Sequence, residues 1–363
     1  MDAVDLLEAF RYQAVACAEL GSPMYADLLT RLHDDIRDRG GTIRVLRGHE
    51  DDSGPSALAL RLLGAVHRVV VSGQAPELAA FYPNVGGPWD PGGGWPAFQA
   101  VLSDHETTLR ELLDRAPQTN EVGRAAALMG GLLIAAERYP HPIRLFEIGA
   151  SGGLNQLADQ FCYADGDNIL WGSPGSPVRL DPAWRGVLPA TSTPVKLAER
   201  LANDIHPVDV TTEDGRLTLM SYVWPDQVER FERIRAALQI AAQMPPTIVG
   251  GPAGEFIERI ALADSTATVV WHSVMWQYLD ATEQSRITGH LEHLGRQATP
   301  GNPLVHLRFE PIRREPGREH EFVVVMDSWP GRRGEILGVG QPHGIPVEWE
   351  PRALDKALAS RYR

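Results

Sequence analysis

The chain has 363 residues, 43% hydrophobic and 22% charged, the balance of a globular protein long enough for two domains. Its formal net charge is −13 with no dense Lys/Arg cluster, which argues against nucleic acid as a partner, since phosphate binding gathers cations on one surface. Cys17 and Cys162 are too few for a disulfide scaffold, Asp2, Asp5 and Glu8 stand where a signal peptide carries cations, and no apolar run reaches the ~20 residues that span a bilayer, so a cytoplasmic protein with no membrane partner is expected.

Leu6, Leu7, Phe10, Val15 and Leu20 give a first amphipathic helix that stops at Gly21-Ser22-Pro23. Tyr25, Leu28, Leu29, Leu32 and Ile36 give a second, ended by Gly40-Gly41, and 58–71 is apolar enough for a buried helix. Gly and Pro crowd 81–94, which reads as a long loop without regular structure. Helical spacing resumes over 95–113 and again over 125–137, where Thr119 or Asn120 can cap the helix and Glu121 suits its positive end. Gln118, Asn120, Glu121 and Arg124 also gather polar groups within one turn. An Arg there can fork onto a carboxylate or phosphate.

From Pro142 onward strands alternate with helices, the pattern of a mostly parallel sheet. The apolar run from Ile143 that ends in Glu147 reads as a buried strand, followed by small residues at 149–153 and a helix starting at Leu154. An insertion over 164–193 carries short strands near 169–171 and 178–180. Later strands fall at 195–204, 247–249, 267–271, 304–309 and 321–326, with segments around Ile336 and Val347 closing the sheet. Helical stretches occupy 214–242, interrupted at Trp224-Pro225-Asp226-Gln227, and 281–297. The expected fold is α/β, with a Rossmann-like, mostly parallel seven-stranded sheet over 141–363 and a helical N-terminal subdomain over 1–140 that caps the substrate.

The stretch Glu147-x-Gly149-x-Ser151-x-Gly153 resembles the first motif of Rossmann-type S-adenosylmethionine methyltransferases. The resemblance implies S-adenosylmethionine as cofactor, with Glu147, Gly149, Ala150, Ser151, Gly153 and Asn155 around it. Asp204, at the end of the next main strand, would take the ribose hydroxyls, with Glu199 as a lesser candidate. Ser151 replaces a glycine of the pattern, and Gly250-Gly251-Pro252 lacks the acid usual near the adenine. The same residues spell the Gly-x-Ser-x-Gly elbow of α/β-hydrolases, with Asp226 or Asp264 and then His272 following Ser151 in order. A plain structural turn is the third reading. Across the chain, the blocks 118–128, 147–155, 223–227 and 269–279 together resemble an uncharacterised bacterial domain-of-unknown-function family with this methyltransferase-like fold.

On the methyltransferase reading the acceptor is a small molecule lying over the glycine turn. His272, after the fourth strand, is the expected base or substrate anchor, because an imidazole takes a proton near neutral pH. Asn120, Glu121, Arg124, Trp224, Asp226, Gln227 and Trp276 are the expected substrate contacts. His290 and His293 share a helix face with no third ligand, so no metal is expected. The alternatives are a non-catalytic ligand-binding or scaffold protein with a degenerate fold, and a serine hydrolase using Ser151.

Overall fold

The computed structural model describes residues 3–49, 52, 57–314, 317 and 319–352. They form two compact units, Met1–Thr119 with Thr212–Arg235 and Asn120–Thr211 with Ala236–Arg363. No described helix is long and apolar enough to cross a membrane.

The first unit packs helices around an apolar core. In Pro23–Arg37, Tyr25, Leu28, Leu29, Leu32 and Ile36 recur every three or four residues and are all buried, as one apolar stripe requires. Ser22 caps this helix by accepting from the Tyr25 N–H at 3.3 Å, and Pro23 fills a first-turn position whose N–H would have no partner anyway. The loop expected over 81–94 is shorter than that. Asp90 accepts from the N–H groups of Gly92 and Gly93, and Pro91 opens a helix running to Asp104. A capping carboxylate and a first-turn proline here outweigh three consecutive glycines.

The second unit is built on one large sheet. Its strands are β1 (Ile143–Ile148), β5 (Trp184–Gly186), β6 (Leu197–Asp204), β7 (Ile248–Gly250), β8 (Ala267–Ser273), β9 (Leu304–Ile312), β10 (Glu321–Trp329), β11 (Glu335–Gly340) and β12 (Val347–Arg352). Among the described residues the sheet has nine strands, not the seven expected, in the order β5-β12-β11-β10-β9-β8-β1-β6-β7. The segments around Ile336 and Val347 each make a strand, and β5 leaves the inserted stretch to pair with β12. The rest of that stretch forms a separate small sheet from β2 (Cys162–Asp165), β3 (Asn168–Trp171) and β4 (Arg179–Leu180). No described strand precedes Ile143.

From β7 to β9 every pairing is parallel, and β9 through β12 continue antiparallel. The chain starts at β1, winds outward to β6 and β7, then returns to build β8 and β9 on the other side. Open α/β sheets bind ligands beyond the strand ends at such a reversal, here between β1 and β8. Because side chains alternate across a strand, the two faces separate cleanly. One face takes the helix Ala125–Arg138, where Gly130 and Gly131 leave room for Trp349 and Leu307. The other carries Phe146, Ile148, Val270, Leu304 and Trp329 into a core shared with Ala253–Glu258 and Ala281–Gln297.

Candidate functional site

The glycine turn sits at the C-terminal end of β1, where the sequence placed it, and it is closed. Ser151 N–H donates to Asp204 Oδ2 at 2.7 Å, and His206 N–H donates to Asp204 Oδ1 at 2.9 Å. Ala150 N–H goes to Asn203 O, Gly153 N–H to Ala150 O, and Leu154 N–H to Asn120 Oδ1. Most of the turn's donors, and both oxygens of the acid that resembles the ribose ligand, are thus committed within the protein. Gly149 has φ +68, and a Cβ there would lie 2.8 Å from Met275 Cγ, so the Met275 side chain covers it. Gly153, φ +70, packs as closely against Pro246 and Ile248. The helix expected from Leu154 is a 3-10 helix, Leu154–Gln160.

S-adenosylmethionine needs a carboxylate free for two ribose hydroxyls and open glycine backbone beneath its methionine part. Here each Asp204 oxygen already accepts one backbone N–H, and the half-buried Met275 side chain lies against Gly149. Glu147 is buried beneath the turn and accepts from Gln156 Nε2 at 3.0 Å. Burial pushes its carboxyl up to about 8, with a smaller push from Asp204, against the opposing effects of Gln156 and Trp271. The 121–124 block closes on itself as well: Glu121 accepts from Gly123 N–H and faces His343 at 3.5 Å, while Arg124 donates to Pro342 O. Asn120 ties the turn instead of capping the helix Ala125–Arg138.

The hydrolase elbow finds one echo, the positive φ of Ser151 (+54), which a side-chain-bearing residue rarely adopts. In the hydrolase fold, however, the elbow follows several earlier strands, and β1 is the first described strand here.

Trp224, Asp226 and Gln227 belong to the helical unit. Asp226 accepts from Ser22 Oγ at 2.6 Å and from Met24 N–H at 2.9 Å, so it fastens the start of Pro23–Arg37. Gln227 donates to Leu20 O, and Trp224 packs in that unit's core, its ring 6.0 Å from Tyr25.

His272 and Trp276 border a cavity of about 950 Å³ between the Ala281–Gln297 helix and the face of β8 to β11. That face is opposite the one carrying Glu147. Glu147 pairs with Trp271, and Trp271 with Leu307, whereas His272 pairs in register with Arg308. The sequence reading put His272 and the glycine turn in one pocket; the pleat separates their side chains. What joins them is the turn after β8. Its Met275 covers Gly149, and its Trp276 stacks on His272 at 5.1 Å. Val274 begins that turn at φ +51, a strained conformation for a β-branched residue, costing on the order of 1–3 kcal/mol. Glu310 Oε1 offsets the strain by accepting from the Met275 and Trp276 N–H groups, at 3.2 and 3.4 Å.

The cavity floor carries a polar chain that the sequence reading missed. His306, Arg308 and Glu310 alternate along β9 and share one face, opposite Asp327, Val325 and Val323 of β10. Arg308 Nη1 donates to Asp327 Oδ2 at 2.6 Å and to His306 Nδ1 at 3.1 Å. His306 Nε2 lies 3.0 Å from His272 Nε2, and His272 Nδ1 lies 2.6 Å from Glu310 Oε1.

One proton arrangement satisfies this chain. A guanidinium only donates, so His306 Nδ1 must accept and carry its proton on Nε2. That proton points at His272 Nε2, which therefore accepts and keeps its own proton on Nδ1, toward Glu310. Both rings are neutral. Burial holds His306 well below its usual pKa, as do the nearby charges of Arg308 and Arg333. Glu310 Oε1 thus receives three donors, while its buried Oε2 has no hydrogen-bond partner. Among the described residues no group of three His, Cys, Asp or Glu side chains is arranged to hold a metal ion.

The signal for this chain was present in His306-Leu307-Arg308-Phe309-Glu310, three polar residues at period two. Reading it required knowing that the strand extends past Phe309 and which strands flank it.

No curated protein matches this chain. The family described as "Uncharacterized protein conserved in bacteria (DUF2332)" matches residues 7–349, nearly the full length, and the chain belongs to that family.

Proposed function

We propose that this protein is an enzyme that binds a small molecule in the cavity over β8 to β11 and transfers a proton there. The carrying observation is the Arg308–His306–His272–Glu310 chain, whose geometry fixes each proton and leaves Glu310 Oε2 without a partner. A volume near 950 Å³ suits a small organic ligand. Glu310 is the group that accepts a proton from the substrate, X–H plus carboxylate giving X⁻ plus carboxylic acid. His272, held at both nitrogens, positions Glu310 instead of acting as the free base expected from sequence.

The test is a thermal-shift screen of a metabolite panel on the wild type and on Gly289→Trp. Gly289 borders the cavity on an exposed helix position, and a Cβ added there meets nothing within 4 Å, so a large side chain can start from this backbone and obstruct the cavity. A compound that stabilises the wild type and loses its effect in Gly289→Trp supports the reading. Stabilisation that persists in the variant, or none across the panel, overturns it.

A second reading is methyl transfer from S-adenosylmethionine, favoured by the glycine turn beside the sheet's reversal point. It requires Met275 to move off Gly149. Calorimetric titration with S-adenosylmethionine should then give binding that weakens on Asp204→Ala; absence of binding leaves the cavity reading alone.

A further inference from the structure

The cavity's charges identify the ligand class, an inference that rests on the cavity being the binding site. Three carboxylates border it. Asp327 is paired with Arg308, and Glu292 with Arg333, whose guanidinium also lies over the Trp329 ring. The third bordering cation, Arg314, is paired with Glu321. Glu310 differs from the other two carboxylates. The donors on its Oε1 are a neutral imidazole and two backbone amides, and its Oε2 has no partner. Glu310 is 5% exposed, so bulk water does little to solvate it.

A buried carboxylate without a countercharge is costly, and a neutral donor recovers less of that cost than a cation does. Leu291, Ile312, Val323, Val325 and Ile336 give the cavity an apolar wall, and Gln277, Gln284, Ser285 and Thr288 line the rest of it with uncharged polar groups. We infer that the ligand is a small primary amine with an apolar body, bound as its ammonium against the Glu310 carboxylate, whose side chain turns its buried Oε2 toward the cavity to meet it. In the proton-transfer reading, R–NH₃⁺ gives one proton to the Glu310 carboxylate. The products are R–NH₂, with its lone pair freed as a nucleophile, and the Glu310 carboxylic acid.

The experiment compares benzylamine, phenethylamine and cyclohexylmethylamine with alcohols of the same skeletons, by ligand-observed NMR and calorimetry at pH 7. The wild type should bind at least one amine about tenfold or more tightly than its alcohol. Glu310→Gln keeps an oxygen for the three Oε1 donors and removes the charge. It should cost that amine about tenfold and leave the alcohol unchanged. Equal binding of amine and alcohol, or an amine affinity untouched by Glu310→Gln, overturns the inference, and the first comparison needs no variant to fold. Alcohols binding where amines do not would sink the amine assignment and leave the cavity reading intact. Neither class binding would count against both.

Discussion

Glu147 shows how far a residue's surroundings depart from what its position in a motif suggests. An acid at a strand end before glycines reads as a ligand group, yet this one is buried beneath the turn and held by Gln156. Its folded pKa, pushed up to about 8 from 4.5, makes it a stability group with a definite sign. The fold favours the protonated form, so its contribution is fully present below 4.5 and is lost as pH rises toward 8. The glutamine isostere lacks that titration. Glu147→Gln should match the wild type near pH 4 and become progressively more stable than it up to pH 8, by a few kcal/mol at most. Urea denaturation across that range measures the difference; a constant offset at every pH would mean that Glu147 is not titrating in the fold. The identities at this turn were legible from sequence. Its closure was not, because Met275 arrives from 126 positions downstream and Asp204 turns inward to backbone donors.

Elements set the limits on what the sequence revealed. Helical stripes and the β1 turn were readable because their periodicity is local. The cavity chain depends on the register of three strands, which no local pattern carries. The same non-local packing fixes the two glycines of Ala125–Arg138. An isolated helix gains about 1 kcal/mol when Gly becomes Ala. Here a Cβ on Gly131 would lie 2.3 Å from Leu307 Cδ2, and one on Gly130 2.0 Å from Trp349 Cζ2. Crowding a packed core typically costs about 1–3 kcal/mol, which outweighs the propensity gain. Gly131→Ala should therefore lower stability in chemical denaturation, and a stabilised variant would show the helix free to shift off the sheet. Asp226 belongs to this scale too. Read as a substrate contact, it holds the Ser22 hydroxyl and the Met24 N–H, two attachments at one helix start. Asp226→Ala should cost about 1–2 kcal/mol, the range of a lost cap, with Asp226→Asn recovering part of it. A neutral alanine variant would return Asp226 to the list of groups available for a ligand.

At the scale of the whole molecule, the two units carry buried titrating groups of opposite sign. In the helical unit, His67 donates from Nδ1 to Ser221 O at 3.0 Å and accepts at Nε2 from Asn84 at 2.9 Å, the pattern of a neutral ring. Burial lowers its pKa from 6.5 to about 4, opposed by the hydrogen bonds to Ser221 and Asn84. Its contribution is therefore present above 6.5 and is lost as pH falls toward 4, because the unfolded ring takes a proton that the folded one refuses. Glu147 acts in the sheet unit with the reverse slope. Acid should thus loosen the helical unit, and mild base the sheet unit. Peptide-level hydrogen exchange, corrected for intrinsic rates, reads the two separately. From pH 6.5 to 4, protection should fall first in peptides around 58–84 and 213–221. From pH 5 to 8, it should fall around 143–160 and 197–204. His67→Gln should flatten the acid limb alone, and Glu147→Gln the basic limb alone. If protection instead drops everywhere together at both ends, or either variant flattens both limbs, the titrations are not local to their units and this account of the molecule's pH response fails.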